Sequence, residues 1–173
     1  MPGGYESHYP ILGAAIARSK GAILELGCGD GSTPLIHYAA ANRYILSVDS
    51  DLAWVRKFAD GYMCPRKHEF QHIESWKKLS IPPIDFGVAF IDCAPGEERY
   101  ELAIRVAFRA QWVICHDSET DYGAGGNYMY DRAKPHFKYV TEFRRYRPYT
   151  LILSNTAPFA IEKIDQEWKP PTP

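Results

Sequence analysis

Of the 173 residues, 46% are apolar and the formal net charge is -1, which allows one sizeable buried core and leaves too little length for two ordinary domains. Such a balanced charge supplies no global field toward nucleic acid or an anionic membrane, so neither is an expected partner. The cysteines Cys28, Cys64, Cys93 and Cys115 form no C-x-x-C pair, which argues against a zinc knuckle and a disulfide framework and for a single cytoplasmic domain over residues 1–173.

The start MPGGYESHYP lacks a basic segment, and the run ILGAAIA is too short to span a bilayer, so neither a signal peptide nor a membrane span is expected. Apolar side chains at helical spacing over residues 9–19, with Gly21 as a stop, predict a helix before the strand AILEL. That strand ends in Gly27, Gly29 and Gly31, and STPLIHYAAAN follows as a helix with Ser32 and Thr33 as N-cap candidates and Pro34 in its first turn. RYILSVDSD is a second strand ending in acid, LAWVRKFADGY a helix, HEFQHI a short third strand, and DFGVAFIDCAP a fourth strand ending at Asp92. A helix through ERYELAIRVAFRA leads to the fifth strand QWVICHDSE. KYVTEFRRYRPYTLILSN reads as two strands joined tightly at Arg147 and Pro148, and EWKPPTP as the end of an irregular tail from about residue 160.

Strands alternating with helices predict a doubly wound, Rossmann-like α/β domain with a mostly parallel sheet and a C-terminal antiparallel hairpin. Ligands of such sheets sit beyond the carboxyl ends of the strands, at the topological switch point. That rule gathers residues 27–31, Asp49, Glu74, Asp92, His116 and Asp117 onto one rim. The glycines do not complete G-x-G-x-x-G, and the Walker sequence G-x-x-x-x-G-K-[ST] is absent. What stands there is G-x-G-x-G preceded by Glu25, in ELGCGDG.

This motif resembles the first motif of the class I S-adenosylmethionine-dependent methyltransferases, and the order of elements over residues 9–155 is similar to theirs. Missing Cβ atoms allow close approach of a ligand, and the following helix start offers N–H groups to a carboxylate. The resemblance implies a cofactor site of Glu25, Gly27, Gly29, Gly31, Asp49, Glu74, Ser75 and Asp92. Asp49 would hold the ribose hydroxyls, with Asp51 as the register alternative, and Glu74 or Ser75 would meet the adenine. Trp54 and Trp76 are expected to fill core.

The chemistry implied is methyl transfer, an alignment of acceptor with donor that is joined by removal of a proton when the acceptor is a hydroxyl. Asp92, His116 and Asp117 are the catalytic candidates, with His116 or Asp117 as general base and a hydroxyl of a small molecule or sugar as acceptor. Some relatives hold magnesium here, for which Asp92, Asp117 and Glu119 are candidates; His116-Asp117 replaces their Asp-Asn or Asp-Asp pair, so a site without metal is expected. Base methylation fits less well, because DCAP lacks the paired prolines and aromatic typical of it, and Cys93 reads as a small buried residue. The basic residues Arg132, Lys134, Lys138, Arg144, Arg145 and Arg147 read as a solvated hairpin face. The loop 118–133, with Gly123, Gly125, Gly126, Tyr122, Tyr128 and Tyr130, reads as an acceptor lid. The pocket is expected to be shallow, or completed by a homodimer partner; an aminopropyltransferase and a non-catalytic S-adenosylmethionine-binding module are the alternative functions.

Overall fold

The computed structural model describes residues 6–40, 42–119 and 128–164. Its helices are α1 (Tyr9–Arg18), α2 (Ser32–Ala39), α3 (Leu52–Tyr62), α4 (Arg99–Val106) and α5 (Tyr130–Ala133). The strands are β1 (Ala22–Leu26), β2 (Ile45–Asp49), β3 (His68–His72), β4 (Phe86–Ile91), β5 (Ala110–His116), β6 (Tyr139–Phe143) and β7 (Thr150–Ser154). They form one sheet in the order β3-β2-β1-β4-β5-β7-β6. β1 to β5 run parallel, while β7 inserts antiparallel between β5 and β6. This is the doubly wound sheet with a terminal hairpin that the alternation predicts.

β1, β2, β4 and β7 are buried along their whole length, as expected for strands covered on both faces. Successive side chains point to opposite faces, so each strand feeds two cores. Leu24, Leu46, Ala89, Val113 and Leu153 join Trp76 and Leu102 on one face; Ile23, Ile45, Phe90, Ile114 and Ile152 join Ile11, Ile36 and Phe159 on the other. Phe159 and Ile164 are 5% and 2% exposed, so the tail expected from about residue 160 is packed as far as 164, through a short 3-10 turn at Ile161–Lys163. The hairpin strands are joined by residues 144–149 rather than by a tight turn. Among the described residues, no helix is long and apolar enough to cross a membrane.

Two local expectations change. Ser32 and Thr33 do not cap α2: Gly31 occupies the cap position without a side chain, and both hydroxyls turn inward to Glu25. Asp51 is the cap of α3, where it accepts the Ala53 N–H at 2.7 Å. That role leaves the acid at the end of β2, Asp49, facing the glycine loop.

Candidate active site

The order of the sheet reverses between β1 and β4, and the loops beyond their carboxyl ends diverge there to open a crevice. Gly27 makes the two strand ends meet. It has φ +102°, and a Cβ there would strike the Asp92 carbonyl and the Cys93 backbone, so the room left by its missing side chain is taken by the backbone that follows β4 rather than by a ligand. Gly29 differs, since a Cβ there would meet only Ser32 Oγ, at 3.2 Å.

The glycine loop is pinned from behind by two acids. Asp49 accepts the Cys28 N–H at 2.7 Å and the Asp51 N–H at 2.8 Å, one on each carboxylate oxygen. Glu25 has no exposed surface and accepts the hydroxyls of Ser32 (2.7 Å), Thr33 (3.0 Å) and Ser47 (2.5 Å). The Thr33 oxygen in turn accepts the Gly29 N–H at 3.0 Å, which couples the buried acid to the loop. Ser47 Oγ also lies 2.9 Å from His68 Nε2, and His68 Nδ1 lies 3.0 Å from His37 Nδ1. Burial pushes the Glu25 carboxyl up to about 7 despite these hydroxyls, and burial and then His37 push His68 down to about 4.

In front of the loop lies a cavity of about 450 Å³, lined by residues 28–32, His8, Trp54 and Asp92, a size usual for small-molecule sites. Asp92 follows β4, and its two oxygens are held from different directions. Arg99 Nη2 lies 2.8 Å from Oδ1, and His116 Nδ1 lies 3.2 Å from Oδ2. Asp117 completes the cluster, 3.0 Å from Arg99 Nη1 and 3.3 Å from His116 Nδ1. Its φ of +56° turns the chain out of β5 and its carboxylate back toward Arg99. His116 is 3% exposed, and its Nε2 lies 3.0 Å from Ser7 Oγ. Burial opposes charge on His116, yet the hydrogen bond and charge of Asp92, joined by Asp117, hold its pKa above the ordinary 6.5. The Asp92 carboxyl is held below its ordinary range: burial would raise it, and His116 and Arg99 outweigh that.

The rim thus brings the glycine loop, Asp92, His116 and Asp117 together, and leaves others apart. Glu74 is exposed and paired with Lys78, and Ser75 accepts the Lys77 N–H at the cap of a short 3-10 turn; neither lines the cavity. Trp76 fills core as expected, donating Nε1–H to the Ala94 carbonyl at 2.8 Å. Trp54 instead lines the cavity and is 37% exposed, stacked on Phe58. Cys93 is buried, its thiol pushed up to about 12 chiefly by burial. Tyr130 is not an acceptor contact: it is 5% exposed and its hydroxyl donates to the His116 carbonyl at 3.0 Å. The Tyr128 ring lies against Arg99, 4.2 Å from its centroid to the guanidinium carbon. Tyr122, Gly123, Gly125 and Gly126 of the expected lid lie outside the described residues.

Asp92, His116 and Asp117 each offer a ligand atom within 4.8 Å of the others, and Glu119 is not part of the group. Arg99 already stands against both carboxylates, so a divalent cation would have to enter beside a buried guanidinium. The residues do not fit a metal. Sequence reasoning missed Arg99, Ser7 and His8. The signal for Arg99 is weak but legible: two acids brought to one buried rim need a cation, and PGEER supplies one at the start of α4. His8 lies before the first helix, where no motif points to it.

No protein-family profile and no curated protein matches the chain. Solved structures do. A human methyltransferase 10 domain containing protein superposes with TM-score 0.56 at 15% identity, over 90% of this chain and 85% of that one. The O-methyltransferase TomG from Streptomyces achromogenes, involved in tomaymycin synthesis and solved with S-adenosylmethionine, gives 0.63 at 16%, over 86% and 79%. A METTL16 methyltransferase domain gives 0.58 at 14%, over 87% and 81%. The protein has the fold of the class I S-adenosylmethionine-dependent methyltransferases.

Proposed function

We propose that the protein is an S-adenosylmethionine-dependent methyltransferase acting on a hydroxyl of a small molecule or sugar. The observation that carries this reading is the shared cavity: the glycine loop after β1 and Asp92 after β4 face the same space across the switch point. The residues fit the donor. The open side of Gly29 and the start of α2 suit a carboxylate. Asp49 accepts backbone N–H groups on both oxygens and would meet a ribose hydroxyl with a remaining lone pair.

When bound, S-adenosylmethionine supplies an electrophilic methyl group on a sulfonium. The chain's part is to hold the acceptor in line with it. Asp92 is the member of the acidic cluster on the cavity wall, where it carries the negative charge that faces the bound methyl donor. Arg99 and His116 fix its two oxygens, and Asp117 fixes Arg99 and His116 in turn. The expectation that His116 is the base meets a difficulty, since both of its nitrogens are engaged. The proposed roles of His116 and Asp117 are therefore to position Asp92.

Calorimetric titration with S-adenosylmethionine and S-adenosylhomocysteine tests the reading. Micromolar binding, weakened about 10- to 100-fold in Asp49→Ala, is expected from the loss of charge-assisted hydrogen bonds. Absence of binding by both compounds overturns it.

A further inference from the structure

We propose that His8 is the group that takes the acceptor's proton; this rests on the methyl-transfer reading above. His8 stands at the cap position of α1 and is 2% exposed. Among the described residues neither of its ring nitrogens has a hydrogen-bond partner, although His8 lines the cavity together with the glycine loop and Asp92. Buried polar atoms left without partners are costly and uncommon, and on a cavity wall they point to a bound molecule as the missing partner.

The neighbouring titratable groups are all committed elsewhere. Asp92 and Asp117 each bind both Arg99 and His116, and His116 spends both nitrogens on those acids and Ser7. His8 packs against His116, with ring centroids 4.6 Å apart, and against Phe90 at 4.9 Å. Burial first, and then His116, push its pKa down to about 3, with Asp92 opposing. The ring is therefore neutral near pH 7 and carries one N–H and one free lone pair.

The proton step balances as follows. As the acceptor oxygen gives a lone pair to the methyl carbon, the sulfur keeps the pair of the broken S–C bond. The O–H bond then breaks, its pair stays on oxygen, and the proton moves to the His8 lone pair before leaving to solvent. An oxygen carrying both a new methyl group and its original hydrogen is a far stronger acid than an imidazolium, so a ring of low basicity suffices.

Sinefungin, in which an amine replaces the sulfonium methyl, offers an N–H donor where the methyl group would lie. With protein labelled with ¹⁵N-histidine, sinefungin should shift one His8 ring nitrogen by several ppm, and S-adenosylhomocysteine much less. His8→Phe should weaken sinefungin about tenfold and leave S-adenosylhomocysteine within about twofold. If both compounds bind while the His8 resonances stay still, or if the variant weakens both equally, His8 does not face the transferring group. If neither compound binds the wild type, the methyl-transfer reading fails and takes this assignment with it. Should His8→Phe not fold, the wild-type spectra decide alone.

Discussion

Glu25 concentrates a conflict in one side chain. It has no exposed surface, three hydroxyls converge on it, and its pKa still rises from the ordinary 4.5 to about 7 because burial outweighs them. Between these two values the folded state holds a proton that the unfolded chain has released. Stability therefore falls as pH rises from about 4.5 to about 7, and the contribution is flat on either side. Glu25→Gln removes the titration. Urea unfolding at intervals across this window should show the wild type losing stability relative to the variant by up to about 1.4 kcal/mol per pH unit. A constant difference would mean that Glu25 is ionised throughout.

At the level of elements, arginines anchor segments that have little structure of their own. Residues 73–85, between β3 and β4, hold only the short turn Trp76–Lys78. Arg105 of α4 donates to the Trp76 carbonyl at 2.7 Å and the Leu79 carbonyl at 2.5 Å, so a helix on one face of the sheet fixes this connection. Arg105→Met should raise hydrogen exchange at the Lys78 and Leu79 amides about tenfold, leaving β4 protected. Equal exchange in both proteins would show that Trp76 packing alone holds the segment. Arg43, just before β2, is tied in the same manner to α1 through the Ile16 carbonyl and to the turn before β1 through that of Gly21. Helix and strand types were legible because apolar spacing governs them locally. These anchors were not, because an arginine's partner lies far along the chain and leaves no periodic mark.

In the molecule as a whole, two cores share one sheet, with Trp76 in one and Trp112 in the other. Every central strand contributes to both, so neither core can be lost while the other persists. In variants keeping only Trp76 or only Trp112, the urea midpoint should fall below that of the wild type, and within each variant fluorescence and circular dichroism should report the same midpoint. Separate midpoints for the two probes within one variant would mean that the faces unfold independently. The same division explains how far the site could be read from sequence. Glycine spacing and acids at strand ends marked the rim, because topology collects strand ends. Arg99, His8 and Ser7 belong to helix starts, and only tertiary packing carries them to the rim. Trp54 was misassigned for the same reason: spacing along α3 does not say that one of its faces opens on a cavity.

Ser7, His116 and Asp92 also show how little a set of distances means without access. With a serine oxygen 3.0 Å from one ring nitrogen and a carboxylate oxygen 3.2 Å from the other, they repeat the spacing of a serine hydrolase triad. Ser7 has no exposed surface, so no ester or amide carbonyl can reach its hydroxyl. A second carboxylate, Asp117, also holds the ring toward its charged form, which cannot deprotonate a serine. In this fold the triad spacing is a buried strut that fastens the start of α1 to the ends of β4 and β5, and it has no hydrolytic chemistry to offer.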